Sequence, residues 1–86
     1  MYTLIYSTQA QKDAKLANNA GFKEKIEKLL GIIENNPFQN PPPYEKLVGD
    51  LTGAYSRRIN EKHRLVYQIY KERKEIKIIR MWAHYE

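Results

Sequence analysis

Two hydrophobic periodicities divide this chain, and a proline cluster keeps them apart. From Ala10 to Ile33 the apolar residues recur every three or four positions, whereas from Tyr55 onward they alternate. The first spacing belongs to helices with one buried face and the second to strands with one buried face. Between them, residues 37–54 (PFQNPPPYEKLVGDLTGA) hold all four prolines and two of the four glycines. Neither a helix nor a central strand runs through such a segment, because proline removes a backbone donor and restricts the residue before it. The helical pattern therefore lies before the crossing, and the alternating pattern of a sheet follows it.

Residues 2–6 (YTLIY) read as a short strand, long enough to be central in a sheet. Ser7 or Thr8 then offers an N-cap for a helix over 8–18 with a small-residue face of Ala10, Ala14 and Ala17. Gly21 marks its end. A second helix follows from Phe22, with Phe22, Ile26, Leu29, Leu30 and Ile33 on one stripe, and Asn35-Asn36-Pro37 stops it. Gly31 inside that pattern costs roughly 1 kcal/mol against alanine, which implies close packing there. The crossing is stiff and extended, with Leu47 and Val48 expected to pin it to the sheet.

The stretch YSRRINEKHRLVYQIY, Tyr55 to Tyr70, reads as a hairpin turning at Asn60, Glu61, Lys62 and His63. On its return strand Leu65, Tyr67 and Ile69 share one face, expected to be core, and Arg64, Val66 and Gln68 share the other. A charged turn over Lys71 to Lys74 leads into a last strand over 75–83. Strict alternation there puts Ile76, Ile78, Arg80, Trp82 and His84 on one face and Lys77, Ile79, Met81, Ala83 and Tyr85 on the other. The expected fold is α+β in the order β-α-α-β-β-β, a helical hairpin covering one face of a mostly antiparallel sheet, in a single domain over 1–86.

With 86 residues the core is modest, and the chain is expected to work in company. It has no cysteine, which removes disulfides, thiolate metal sites and a cysteine nucleophile and suits a cytoplasm. Its apolar runs are too short to span a membrane, and no leader is expected before the first strand. Charge is uneven. Residues 1–54 carry six Lys or Arg against six acids, while residues 55–86 carry nine against four, so the whole net charge of +5 sits on the second part. There it can meet phosphates, or simply solubilise a small sheet.

Arg57, Arg58 and Arg64 on short strands make an anion-binding surface. Arg57 and Arg58 point to opposite faces, so only one of them shares a site with Arg64. Glu45 lies just before the hairpin, and His84 and Tyr85 close the last strand. His63 reads as a polar turn residue, and two histidines without a carboxylate or thiol pattern do not suggest a metal site. A glycine-rich phosphate loop, G-x-S-x-G and H-E-x-x-H are all missing, which removes most nucleotide-hydrolase and protease readings.

Glu45-Lys-Leu, the run Leu51-Thr-Gly-Ala-Tyr-Ser-Arg-Arg-Ile-Asn-Glu-Lys-His-Arg-Leu-Val-Tyr, and His84-Tyr85 together resemble the YoeB/Txe toxins of bacterial type II toxin–antitoxin systems, in the RelE/ParE superfamily. The resemblance implies a ribosome-dependent mRNA endonuclease acting in the 30S A site, a cognate YefM/Axe-like antitoxin, and no cofactor, and it leaves a homodimer open. It carries the catalytic carboxylate onto Glu45, the phosphate-binding arginine onto Arg64 and the terminal pair onto His84 and Tyr85. Arg58 falls on a further basic position near the substrate phosphate, with Lys46 and Arg57 as additional substrate contacts. The implied chemistry is metal-independent: the RNA 2′-hydroxyl attacks the adjacent phosphate, Glu45 takes its proton, His84 protonates the leaving 5′-oxygen, Arg64 and Arg58 meet the phosphoryl charge, and Tyr85 orients the phosphate or stacks on a base. A non-catalytic superfamily member that binds nucleic acid or inhibits a topoisomerase, or a bare RNA-binding scaffold, needs the basic sheet but not Glu45 with His84.

Overall fold

The structure, a computed structural model, describes residues 1–49 and 53–84. Strand β1 (Thr3–Tyr6) is followed by helices α1 (Thr8–Asn19) and α2 (Lys23–Asn35), then by strands β2 (Tyr44–Lys46), β3 (Ala54–Arg58), β4 (His63–Tyr70) and β5 (Glu75–His84). The strands form one sheet in the order β1-β5-β4-β3-β2. β1 runs parallel to β5, and the other neighbours are antiparallel. The expected α+β architecture is present with two differences. The crossing contributes a strand of its own, β2, and β1 lies at an edge of the sheet instead of its centre.

Each helix starts and faces as its sequence dictates. Ser7 caps α1, its Oγ accepting the Ala10 N–H at 2.9 Å and donating to the Ile79 carbonyl at 2.7 Å, so the cap also ties the helix to β5. Ala10 and Ala17 are fully buried, and their small side chains let α1 lie close to the sheet. Gly21, at φ +86°, turns the chain into α2. Ile26, Leu29 and Ile33 of α2 are buried, each contributing about 1.5–3 kcal/mol from removal of apolar surface. Gly31 points the other way: it is exposed, and a Cβ there would meet nothing within 4 Å, so the expected close packing is absent.

The helices cover the sheet face that carries Leu65, Tyr67, Ile76 and Ile78. Directly paired residues share a face. Ser56, Arg58, Arg64 and Val66 thus occupy the opposite face, with Glu45 joining them through its pairing with Ser56. Leu47 is half-buried and donates its N–H to the Ala54 carbonyl, but Val48 is exposed and pins nothing.

Strand β5 departs from alternation. Tyr67 pairs with Ile78 and Arg64 with Ala83, so β5 advances five residues where β4 advances three. The extra residues form bulges on both sides of Arg80. They bring Met81 into the core beside Ile76 and Ile78, which corrects the two-face division expected for 76–85. Among the described residues no helix is long and apolar enough to cross a membrane.

Candidate active site

The open face of the sheet carries a small cleft of about 160 Å³ lined by Pro43, Glu45, Arg58 and Arg64. Its basis is the register of three strands. Arg58 stands directly across from Arg64, and Glu45 sits across from Ser56 on the next strand out. Two arginines opposed on one face repel each other. One carboxylate offsets part of that repulsion: Glu45 Oε1 lies 3.3 Å from Arg64 Nη1.

Burial assigns the members different tasks. The Arg64 side chain is 7% exposed and fixed in the sheet, while that of Glu45 is 58% exposed and accessible to a ligand. The Ser56 hydroxyl, itself buried, accepts from Arg64 Nη1 at 3.4 Å and steadies the guanidinium from behind. The cleft thus offers a held cation, a second exposed cation on Arg58 and a carboxylate able to accept a proton. That set suits a phosphodiester, whose charge the two guanidinium groups would share. Lys46 is exposed, but it alternates with Glu45 and belongs to the other face of β2.

Arg57 is not part of the cleft. It pairs with Leu65 on the helix-covered face and is 0% exposed. Its Nε donates to the Tyr67 hydroxyl at 3.0 Å and its Nη2 to the Pro37 carbonyl at 2.9 Å, while Nη1 donates to the Pro42 carbonyl. The expected substrate contact from Arg57 is thereby corrected: its hydrogen bonds are spent tying the proline crossing to the sheet. Burial, the first influence on the Tyr67 phenol, holds its pKa above the ordinary value, so it remains a neutral hydroxyl that donates onward to Pro37.

His84 ends β5 directly across from His63, one residue beyond Ala83, which stands across from Arg64. The two rings meet edge-on with centroids 5.7 Å apart, so His84 shares the face of His63 and stands around the sheet end from the Glu45 and Arg64 cleft. His63 is part of β4 and not a turn residue. It stacks on Trp82 at 3.8 Å, and burial followed by the charges of His84 and Lys62 lowers its pKa. Tyr85, with Leu51 and Thr52 of the family-like run, lies outside the described residues. Among the described residues no three His, Cys, Asp or Glu side chains gather as metal ligands.

Comparison with known proteins decides the family. Residues 6–85 match the model for the YoeB-like toxin of bacterial type II toxin–antitoxin systems. This chain belongs to that family. The YoeB toxin of Mycobacterium bovis is 36% identical over 70 residues, covering 81% of this chain and 80% of its own length. Among solved structures, the YoeB–YefM complex of Staphylococcus aureus matches at 40% identity with a TM-score of 0.80 over 99% of both chains. A YoeB/ParE toxin from Agrobacterium tumefaciens matches at 29% identity with a TM-score of 0.85 over 96% of this chain and 99% of its own. The chain is therefore a toxin of the YoeB family, with the RelE/ParE-type fold expected from its sequence.

One residue of evident importance, Asp13, carried no expectation. It is 1% exposed although it lies in a helix of otherwise wet charges. The available signal was its spacing: 10, 13, 14 and 17 form one helical stripe, and an acid in an otherwise alanine stripe needs a buried partner.

Proposed function

We propose that this YoeB-family toxin is a ribosome-dependent endoribonuclease that cuts mRNA in the 30S A site and so halts translation. The observation that carries the reading is the Glu45 carboxylate, exposed and 3.3 Å from the nearly buried Arg64 guanidinium, with Arg58 in the same cleft. A bare RNA binder has use for the two arginines but none for an acid beside them, since that acid weakens phosphate binding. In a cutting enzyme the acid is the base. Glu45 takes the proton of the 2′-hydroxyl as it attacks the adjacent phosphorus, and Arg64 with Arg58 stabilises the charge gathering on the phosphoryl oxygens. The bond from phosphorus to the 5′-oxygen breaks, leaving a cyclic phosphate and a 5′-hydroxyl. We assign the proton for that oxygen to His84, which stands around the end of the sheet from the cleft, so that the leaving nucleotide is taken to pass over that end, and Tyr85 is assigned to orient the phosphate or stack on a base.

The partners follow from the family. The Staphylococcus aureus toxin is known in complex with YefM and as a YoeB dimer. We assign this chain a cognate antitoxin of the YefM/Axe kind and a cytoplasmic site of action, and its dimerisation is testable by sedimentation. The function itself is tested by adding the purified toxin to ribosomes programmed with a defined mRNA and mapping the ends. The expected result is cleavage in the A-site codon with cyclic-phosphate and 5′-hydroxyl ends, lost in His84→Gln. Uncut mRNA refutes the nuclease reading, and cutting by His84→Gln at the parent rate refutes the acid assignment.

A further inference from the structure

The end of β5 stops level with the arginine row only because of its bulges. Without them, continuing the pairing of Tyr67 with Ile78 would set Met81 across from Arg64, and Ala83 and His84 would run past it. Two added residues draw the strand end back by about 7 Å, at roughly 3.3 Å per residue. Ala83 thereby stands across from Arg64, and His84 across from His63. Bulges leave ladder groups unpaired, and those that are buried need another hydrogen-bond partner.

Asp13 is that partner. From α1, 67 to 69 residues away in sequence, its Oδ2 accepts from Arg80 Nε at 2.7 Å, the Met81 N–H at 3.0 Å and the Trp82 N–H at 3.3 Å. Its Oδ1 accepts from Gln9 Nε2 at 2.9 Å and Arg80 Nη2 at 3.3 Å. One buried carboxylate therefore receives two consecutive backbone amides of the bulge and the side chain beside them. Ser7 fastens the near end of the same segment through the carbonyls of Ile78 and Ile79. Trp82, one of the clamped residues, is the ring on which His63 stacks, and His63 is the neighbour of His84.

We propose that Asp13 is a positioning residue for RNA cleavage: by holding the doubled bulge of β5 it sets how far that strand reaches beside Arg64, and so where His84 stands. The inference rests on the nuclease reading above. An asparagine at 13 keeps the shape, but its amide presents donors to a guanidinium and two N–H groups. With the clamp weakened, β5 slips toward regular pairing and His84 moves by a fraction of the 7 Å. Displacement of a reacting group by about 1 Å already costs on the order of 10²-fold in rate.

The test compares unaltered toxin with Asp13→Asn in two measurements. One is the single-turnover cleavage rate and ribosome affinity on programmed ribosomes. The other is the NMR signature of the strand end, namely contacts between His63 and His84 and the upfield shift that the Trp82 ring imposes on His63. The expected result is a fall in rate on the order of 10²-fold with ribosome affinity retained, together with loss of the His63 signature. An unchanged rate in a variant whose signature is lost overturns the inference and leaves the nuclease reading standing. So does a slowed variant whose signature is intact. Unaltered toxin that never cuts fails the nuclease reading, and the positioning role with it. If Asp13→Asn does not fold, Arg80→Gln decides by the same readouts, since it removes the guanidinium contacts while Asp13 keeps both amides; the expected effects have the same direction and smaller size.

Discussion

Replacing Arg57 with alanine separates a structural arginine from a substrate-binding one. Its guanidinium is fully enclosed and makes hydrogen bonds to the Pro37 carbonyl, the Pro42 carbonyl and the Tyr67 hydroxyl. It also lies 5.1 Å from the centre of the Tyr44 ring. The bonds to Pro37 and Tyr67 are buried, and charged donors of that kind contribute about 1.5–3 kcal/mol each. The ring contact adds about 0.5–1 kcal/mol. Relief from burying a charge offsets part of the loss, as does the Tyr67 hydroxyl, which still reaches Pro37. The net destabilisation is about 3–4 kcal/mol, a large share of the 5–15 kcal/mol typical of a whole domain. For a domain of this size each kcal/mol moves the melting midpoint by about 4–8 °C, so a drop of about 12–32 °C is expected in calorimetry, with urea unfolding as the second measure. If Arg57→Ala unfolds within about 1 kcal/mol of the parent, the anchoring of the proline crossing through this residue is wrong.

Other outcomes follow from the same geometry. Arg58→Ala leaves the melting midpoint near that of the parent but weakens RNA binding, and a salt titration of affinity loses about 0.7 from its log–log slope if one phosphate contact is gone. Gly31→Ala stabilises the fold by about 0.5–1 kcal/mol in urea unfolding, because the site is helical and open; destabilisation there would mean the α2 surface is covered. Burial raises the Asp13 carboxyl, but the bonds from Arg80, Gln9 and Met81 outweigh it and hold its pKa below the ordinary value. A depressed folded-state pKa adds stability that is complete above the unfolded value near 3.9 and is lost as pH falls through the folded one. Acid unfolding below about pH 4 is therefore shallower in Asp13→Asn than in the parent.

The helical half was legible because its rules are local. Of the stripe Phe22, Ile26, Leu29, Leu30 and Ile33, the three of Ile26, Leu29 and Ile33 became the buried side of α2 with Phe22 and Leu30 packed beside them, and Ser7 became a cap. Leu65 and Tyr67 went to the core and Arg64 to the other face, as alternation requires. What the sequence hid depends on distant partners. The bulges of β5 are held by a carboxylate some 68 residues earlier, so alternation was the only local guide, and it placed Met81 wrongly. Whether Arg57 or Arg58 faced Arg64 hinged on which of them paired with Leu65, a matter of register that adjacent arginines do not reveal. β2 was concealed by its three-residue length beside the prolines, yet it is the strand that carries Glu45 to the cleft.

The central claim, that Glu45 acts as a base within an arginine cleft, is tested most directly by the single-turnover cleavage rate of Glu45→Gln on programmed ribosomes. The side chain is exposed, and such ion pairs contribute about 0–1 kcal/mol, so the fold and the melting midpoint should be retained. A base role for Glu45 predicts a rate lowered by roughly 10²- to 10⁴-fold with ribosome binding intact. Cleavage at the parent rate would contradict it and reduce the cleft to a site that only holds RNA.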